Sequence, residues 1–207
     1  MPARKSLAPQ IPMSLTVLII LLVACALLMI AERSGAPTTL KLSFKGDIKR
    51  ESQFLAQWGQ SVATPLAALL VYQLDKRPGY EKAWLGLFLA VLGTSVSCFC
   101  LKRICGRVRP NRENAGKFLG FSLKHANYRE SFPSSHSACA VALSVFLAGV
   151  YPSAAITWWG LALTTALLRY VLDAHWPSDV VGGIALGYSV AHWWLWMFHF
   201  QPTYIRG

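Results

Sequence analysis

Charge is what this chain has little of. Asp, Glu, Lys and Arg make up only 14% of its 207 residues, while 54% are hydrophobic and 8 are Trp. A soluble domain carries roughly 25% charged residues, so an ordinary water-soluble fold of this length is excluded. Acid is scarcer still: 9 Asp and Glu stand against 20 Lys and Arg, a formal charge of +11. The basic residues sit in short loops between apolar runs rather than on a broad soluble face. That distribution speaks against nucleic acid and for an anionic lipid head group as the partner. No CxxC pair occurs; Cys25, Cys98, Cys100 and Cys139 fall inside apolar runs and Cys105 lies in a loop. This excludes a disulfide framework and zinc-site spacing, and all five cysteines read as small membrane hydrophobes. Period-two alternation is missing as well, which excludes a transmembrane barrel and leaves helices as the way to cross lipid.

Six apolar runs are present, at approximately 13–31, 54–74, 83–101, 136–151, 154–172 and 180–198. They predict an all-α fold: one domain over 1–207, an integral membrane bundle of six transmembrane helices with its polar segments at one rim. The first run, Met13 to Ala31, follows Arg4 and Lys5. It is long enough for a span, which needs about 20 apolar residues, and long for a signal-peptide core; AERSGA is a loose cleavage site, so the run reads as a retained signal anchor. The second run is diluted by Gln57, Gln60 and Thr64, with a kink expected at Pro65. Before it, Phe44, Ile48, Leu55 and Trp58 recur at near-helical spacing among Lys45, Lys49 and Arg50. That pattern fits either an amphipathic helix on the membrane surface or a solvated linker. Gly183 and Gly187 form a GxxxG that predicts close packing of the last helix inside the molecule. With six spans, the loops after the third and fifth emerge on the same face.

Those two loops hold the chemistry. Lys102 and Arg109 are seven residues apart, two helical turns, so a helix continued past the third span would put both on one face. A Lys ammonium and an Arg fork converging on one point suit a tetrahedral dianion; simple snorkelling at a span end is the alternative. In FPSSHS, Pro133, Ser134 and Ser135 precede an apolar run and mark a helix start whose free N–H groups and dipole make an anion site. His136 sits in that first turn, where a histidine titrating near neutrality would serve as a proton donor. Arg169 falls about one turn inside an apolar span, where arginine is costly and marks function; an ion pair with Asp173, four residues on, is the alternative or a companion. If Pro177 opens the sixth helix, Asp179 lies in its first turn and can reach back to the preceding residues, as in a capping box. Asp179 could then accept from one nitrogen of His175 and leave the other, neutral, facing the site as base or nucleophile.

The order of these groups resembles the type 2 phosphatidic acid phosphatase superfamily. Its three motifs match as Lys102, Arg109 and Pro110; Pro133, Ser134, Ser135 and His136; and Arg169, His175 and Asp179. Two positions depart from the usual pattern: Ser135 stands where glycine is common, and Leu168 where serine usually precedes the arginine. The resemblance implies that His175 attacks phosphorus, that Asp179 orients it and that His136 protonates the leaving oxygen. It further implies that Lys102, Arg109, Ser134, Ser135 and Arg169 bind the phosphate. No metal or other cofactor is then needed, since cations already surround the phosphate. The implied partners are a phosphorylated lipid and the bilayer; a phosphotransferase would share the phosphoenzyme. A transporter fits worse, because His136, His175 and Asp179 gather at a rim and not at mid-membrane. The segment 111–132, with Arg112, Lys117, Lys124 and Arg129, matches no motif and is the expected seat of head-group selectivity. The resemblance implies a site facing the periplasm or exterior, yet the positive-inside rule opposes it. The loops sharing the site's face carry 13 Lys and Arg (5 in 32–53, 8 in 102–129), against 6 on the other face.

Overall fold

A computed structural model describes residues 14–36, 38, 46–60, 62–110, 112–172 and 175–200. Seven α-helices account for most of them: α1 (Leu15–Arg33), α2 (Gly46–Leu55), α3 (Ala63–Leu74), α4 (Ala83–Cys105), α5 (Ser135–Val150), α6 (Ala155–Val171) and α7 (Pro177–Met197). Among the described residues there is no β-strand; a lone bridge pairs Arg107 with Phe118.

Helix α5 is the axis. Its sequence is apolar on every side and nearly every residue from Ser137 to Val150 is buried, as expected of a helix enclosed by others. It packs against α4, α6 and α7. The approach to α7 is closest at the GxxxG: a Cβ on Gly183 would stand 2.6 Å from the Ser134 carbonyl oxygen, and one on Gly187 2.1 Å from that of Ala138. The glycines thus seat α7 on α5 within the molecule. Helix α1 lies outside α7 and buries Cys25 and the side chain of Glu32.

The outer surface is apolar. Ile19, Ile20, Leu22, Val23, Leu27 and Ile30 of α1 are all more than half exposed, as are Leu66 and Leu69 of α3 and Val96 and Phe99 of α4. Contiguous apolar surface of this kind calls for lipid or a partner rather than water. Among the described residues, α1 and α4 are each long and apolar enough to cross a membrane unaided, and α3 and α5 are shorter apolar helices, so the structure does not by itself establish the expected count of six spans.

The run 54–74 departs from expectation. It is not one helix: α2 ends at Leu55, a turn occupies the residues around Gly59, and α3 begins at Ala63. Gly59 has φ +80°, and a Cβ there would lie 2.5 Å from the α5 backbone at Cys139 and Ala140, so the chain breaks to pass against α5. Pro65 sits in the first turn of α3, where it costs no hydrogen bond, and does not kink the helix. The 12 residues of α3 rise about 18 Å, short of the roughly 30 Å hydrocarbon core. Helix α2 exposes Ile48, Phe54 and Leu55 beside its charged residues, whereas Trp58 turns inward, donating to Ser144 Oγ (2.8 Å) and stacking on Trp158. Phe44 and Lys45 lie outside the described residues.

Candidate active site

Three chain segments meet where α4 ends and α5 and α7 begin. Helix α4 runs past the expected Leu101 to Cys105 and stops at Gly106, which takes a left-handed φ of 59° and donates its N–H to the Lys102 carbonyl (3.0 Å). Arg109 is therefore not on a continued helix with Lys102. A compact loop brings it round instead. Val108 N–H donates to the Lys117 carbonyl (2.9 Å), Gly116 N–H to Val108 (3.1 Å) and Arg109 N–H to Tyr128 (2.9 Å), and the Arg109 Nε donates to the Asn127 carbonyl (2.9 Å). Arg103 is buried and ion-paired with Glu130 (3.1 Å), tying the loop to α4. Arg129 caps the Gly120 carbonyl (2.5 Å), so it builds the loop, while Arg112, Lys117 and Lys124 stay exposed.

Ser134 is the N-cap of α5, but its hydroxyl does not cap. It is fully buried and shares a hydrogen bond with Ser137 Oγ (2.9 Å), while its N–H donates to the Asp179 carbonyl (3.0 Å) and ties the starts of α5 and α7 together. Ser135 and His136 follow in the first turn, whose N–H groups have no partner within the helix. His136 feels the charges of Arg169, His175, Lys102 and Arg109. Arg169, in the last turn of α6, feels Arg109, and its buried Nε has no hydrogen-bond partner. Among the described residues neither Lys102 nor Arg169 has an ion pair; Asp173, the alternative partner of Arg169, lies outside them.

Pro177 does open α7, and Asp179 Oδ2 accepts from the Trp176 N–H (3.0 Å), the return half of a capping box. The expected bond from Asp179 to His175 is corrected by the structure. His175 Nδ1 stands 3.7 Å from Asp179 Oδ2, too far for a hydrogen bond, and 2.8 Å from the Ser131 carbonyl. A carbonyl only accepts, so Nδ1 carries the proton and Nε2 keeps the lone pair. Asp179 acts one residue further off: its Oδ2 accepts from Ser131 Oγ, and its Oδ1 from Arg107 Nη1 (2.7 Å). Burial pushes the His175 imidazole down to about 4, against the opposing pull of Asp179. It is neutral at physiological pH and available to donate electrons. Burial likewise holds Arg109 below its ordinary value, with Asp179 opposing.

Arg107, Ser131, Ser178 and Glu32 are the polar residues here that motif spacing missed. Arg107 and Glu32 are each 2% exposed at the side chain and paired at 2.7 Å. Glu32 had a signal: an acid closing an otherwise apolar run is costly and invites a search for its partner.

A family model, the PAP2 superfamily, matches residues 83–202. The lipid A 1-phosphatase of Rhizobium johnstonii is 28% identical over 156 residues, 68% of this chain and 64% of that protein. The lipid A 1-phosphatase of Rhizobium etli is 33% identical over 123 residues, 58% of this chain and 53% of that protein. The decaprenylphosphoryl-5-phosphoribose phosphatase of Mycolicibacterium smegmatis is 32% identical over 110 residues, 52% of this chain and 56% of that protein. The chain thus spans between half and two thirds of the length of these curated relatives. In fold it is similar to a transmembrane PAP2 type phosphatidylglycerolphosphate phosphatase from Bacillus subtilis, with a TM-score of 0.56 and 18% identity over 91% of this chain and 98% of that one.

Proposed function

The chain belongs to the PAP2 superfamily, and on that premise we propose that it is an integral membrane phosphatase that removes phosphate from a lipid monoester or diphosphate through a phosphohistidine on His175. One observation carries the reading. Lys102 and Arg169, without ion pairs among the described residues, act with Arg109 at the open N-terminal end of α5, beside a neutral histidine whose Nε2 holds the lone pair. With no ion pair for Lys102 or Arg169 among the described residues, a phosphate would bring negative charge to these two cations and to the helix N–H groups.

In the first step His175 Nε2 attacks phosphorus in line, the P–O bond to the lipid breaks, and His136 gives its proton to the departing oxygen. Water then attacks the phosphohistidine, the N–P bond breaks, and the proton released by water returns to His136. Lys102, Arg109, Arg169 and the N–H groups of Ser135 and His136 hold the equatorial oxygens, where charge must be stabilised in the transition state. Ser134 serves through its backbone and through the Ser137 contact that shapes the turn. The molecule forms one membrane domain over 1–207, with α1, α3, α4, α5, α6 and α7 as six crossing segments and the turn before α3 completing the second. It sits in the bacterial inner membrane with the site facing the periplasm.

Detergent-purified protein tests this on a panel of lipid A, phosphatidic acid, phosphatidylglycerophosphate and a polyprenyl diphosphate, with a chelator present. Lipid A is the first to try, because two relatives are lipid A 1-phosphatases. Phosphate release is expected without added metal, and His175→Ala should lose roughly three orders of magnitude or more. Full activity in that variant would remove the nucleophile from the scheme.

A further inference from the structure

The N-terminal helix reaches into the site. Glu32, in the last turn of α1, is buried at 2% side-chain exposure and accepts three hydrogen bonds from other segments. Its Oε2 accepts from Arg107 Nη2 (2.7 Å) and Ser178 Oγ (2.5 Å), and its Oε1 from the Ser178 N–H (3.0 Å) at the start of α7. Arg107 in turn gives Nη1 to Asp179 Oδ1 (2.7 Å) and Ser178 Oγ (2.6 Å). With Oδ1 so held, Oδ2 of Asp179 is committed to Ser131 Oγ and the Trp176 N–H. Ser131 is gripped a second time, since its N–H donates to the Arg107 carbonyl (3.0 Å). Fixed at both ends, Ser131 aims its own carbonyl at His175 Nδ1 (2.8 Å).

We infer that Glu32 and Arg107 are positioning residues: through Asp179 and Ser131 they fix the ring and the Nδ1–H tautomer of His175, so that α1 is a working part of the active site. The inference rests on His175 being the nucleophile. It goes beyond what family membership carries, because Glu32 lies outside the matched residues 83–202. It also bears on the N-terminal run, since cleavage within AERSGA would separate Glu32 or its helix from Arg107.

The physical case is one of matched charge. Two carboxylates, Glu32 and Asp179, flank one guanidinium in a site sealed from water. Taking a charge away from such a group leaves its partner buried and uncompensated, which costs far more than the pair contributes. If Arg107 lost Glu32, it could swing fully onto Asp179 and pull Oδ2 off Ser131. The carbonyl of Ser131 would then lose its aim, and His175 could rotate or change tautomer. Lys102, Arg109 and Arg169 are not touched by this chain of bonds, so phosphate binding should survive.

The experiment uses the full-length protein in detergent, with Glu32→Gln, Glu32→Asp and Arg107→Lys. Two readouts are taken: kcat and KM on the lipid phosphate that the wild type cleaves, and nitrogen NMR of labelled histidine, which reports tautomer without turnover. Glu32→Gln should lower kcat by about 10- to 100-fold with KM within about twofold, and should replace the single Nδ1–H signature of His175 by a mixture. Glu32→Asp should recover most of the kcat. An unchanged kcat in Glu32→Gln would overturn the inference, as would a fall in kcat with the tautomer intact. Failure of all three variants to fold would assign the pair to folding alone and overturn it too. The nucleophile reading fails separately, through an active His175→Ala.

Discussion

His136 and His175 carry one side chain into two different surroundings, and the roles proposed for them rest on that difference. His175 is 2% exposed with Nδ1 tied to a carbonyl, which leaves one nitrogen for one job. His136 stands in the first turn of α5 among the charges of Arg169, Lys102 and Arg109; in the proposed mechanism a bound phosphate supplies the counter-charge for it to carry a proton. For His136→Ala, hydrolysis of an alkyl phosphate should fall by roughly 10²–10⁴-fold. An aryl phosphate, whose leaving group needs little protonation, should lose at least about tenfold less. Equal loss on both substrates, measured as kcat/KM, would remove the acid role. At this scale the motif residues were legible because the chemistry demands particular side chains close together in sequence. Arg107 and Ser131 were not, because they meet Asp179 across 72 and 48 residues, and Glu32 meets Arg107 across 75. Motif spacing does not register a partner that far along the chain.

Among the elements, the pairing of α5 with α7 matters most to the site, because it sets the starts of both helices side by side. Gly187→Ala puts a Cβ 2.1 Å from the Ala138 carbonyl oxygen, with only backbone to yield. The variant should lose roughly 1–3 kcal/mol by overpacking and melt at lower temperature in detergent. Its activity should fall too as α7 is pushed away. Gly160→Ala, with nothing within 4 Å, is the control and should melt like the wild type. Equal melting of the two would mean that α5 and α7 are not so closely seated. The GxxxG was readable because small residues four apart leave a groove on one helix face. The break between α2 and α3 was not, since it depends on Gly59 meeting the backbone of α5, some 80 residues on. The end of α4 at Gly106 was half readable: glycine warned of a stop, yet only the loop shows how Arg109 returns.

For the molecule as a whole, orientation pits charge against chemistry. With six spans as proposed, the loops on the site's face would carry 13 Lys and Arg against 6 opposite, which by bias alone would turn that face inward. Several of those cations are employed, however: Arg103 and Arg107 hold the fold by buried ion pairs, and Lys102 and Arg109 face the phosphate in our reading. His125, whose side chain is 75% exposed in the site-face loop, offers the test. His125→Cys should react with an impermeant maleimide on intact cells, above the level of the unsubstituted protein. Reaction only after permeabilisation would reverse the orientation.

By itself the sequence determined the helical class and the apolar exterior, and it named the candidate residues for the proposed phosphate site. Each follows from local pattern: run length, scarcity of charge, and side-chain types at short spacing. Only the tertiary structure decided that Asp179 reaches His175 through Ser131, that Arg109 arrives by a loop, and that α1 delivers Glu32 to the same cluster. Those facts depend on hydrogen bonds between segments remote in the chain, and it is packing around α5 that brings their ends within reach.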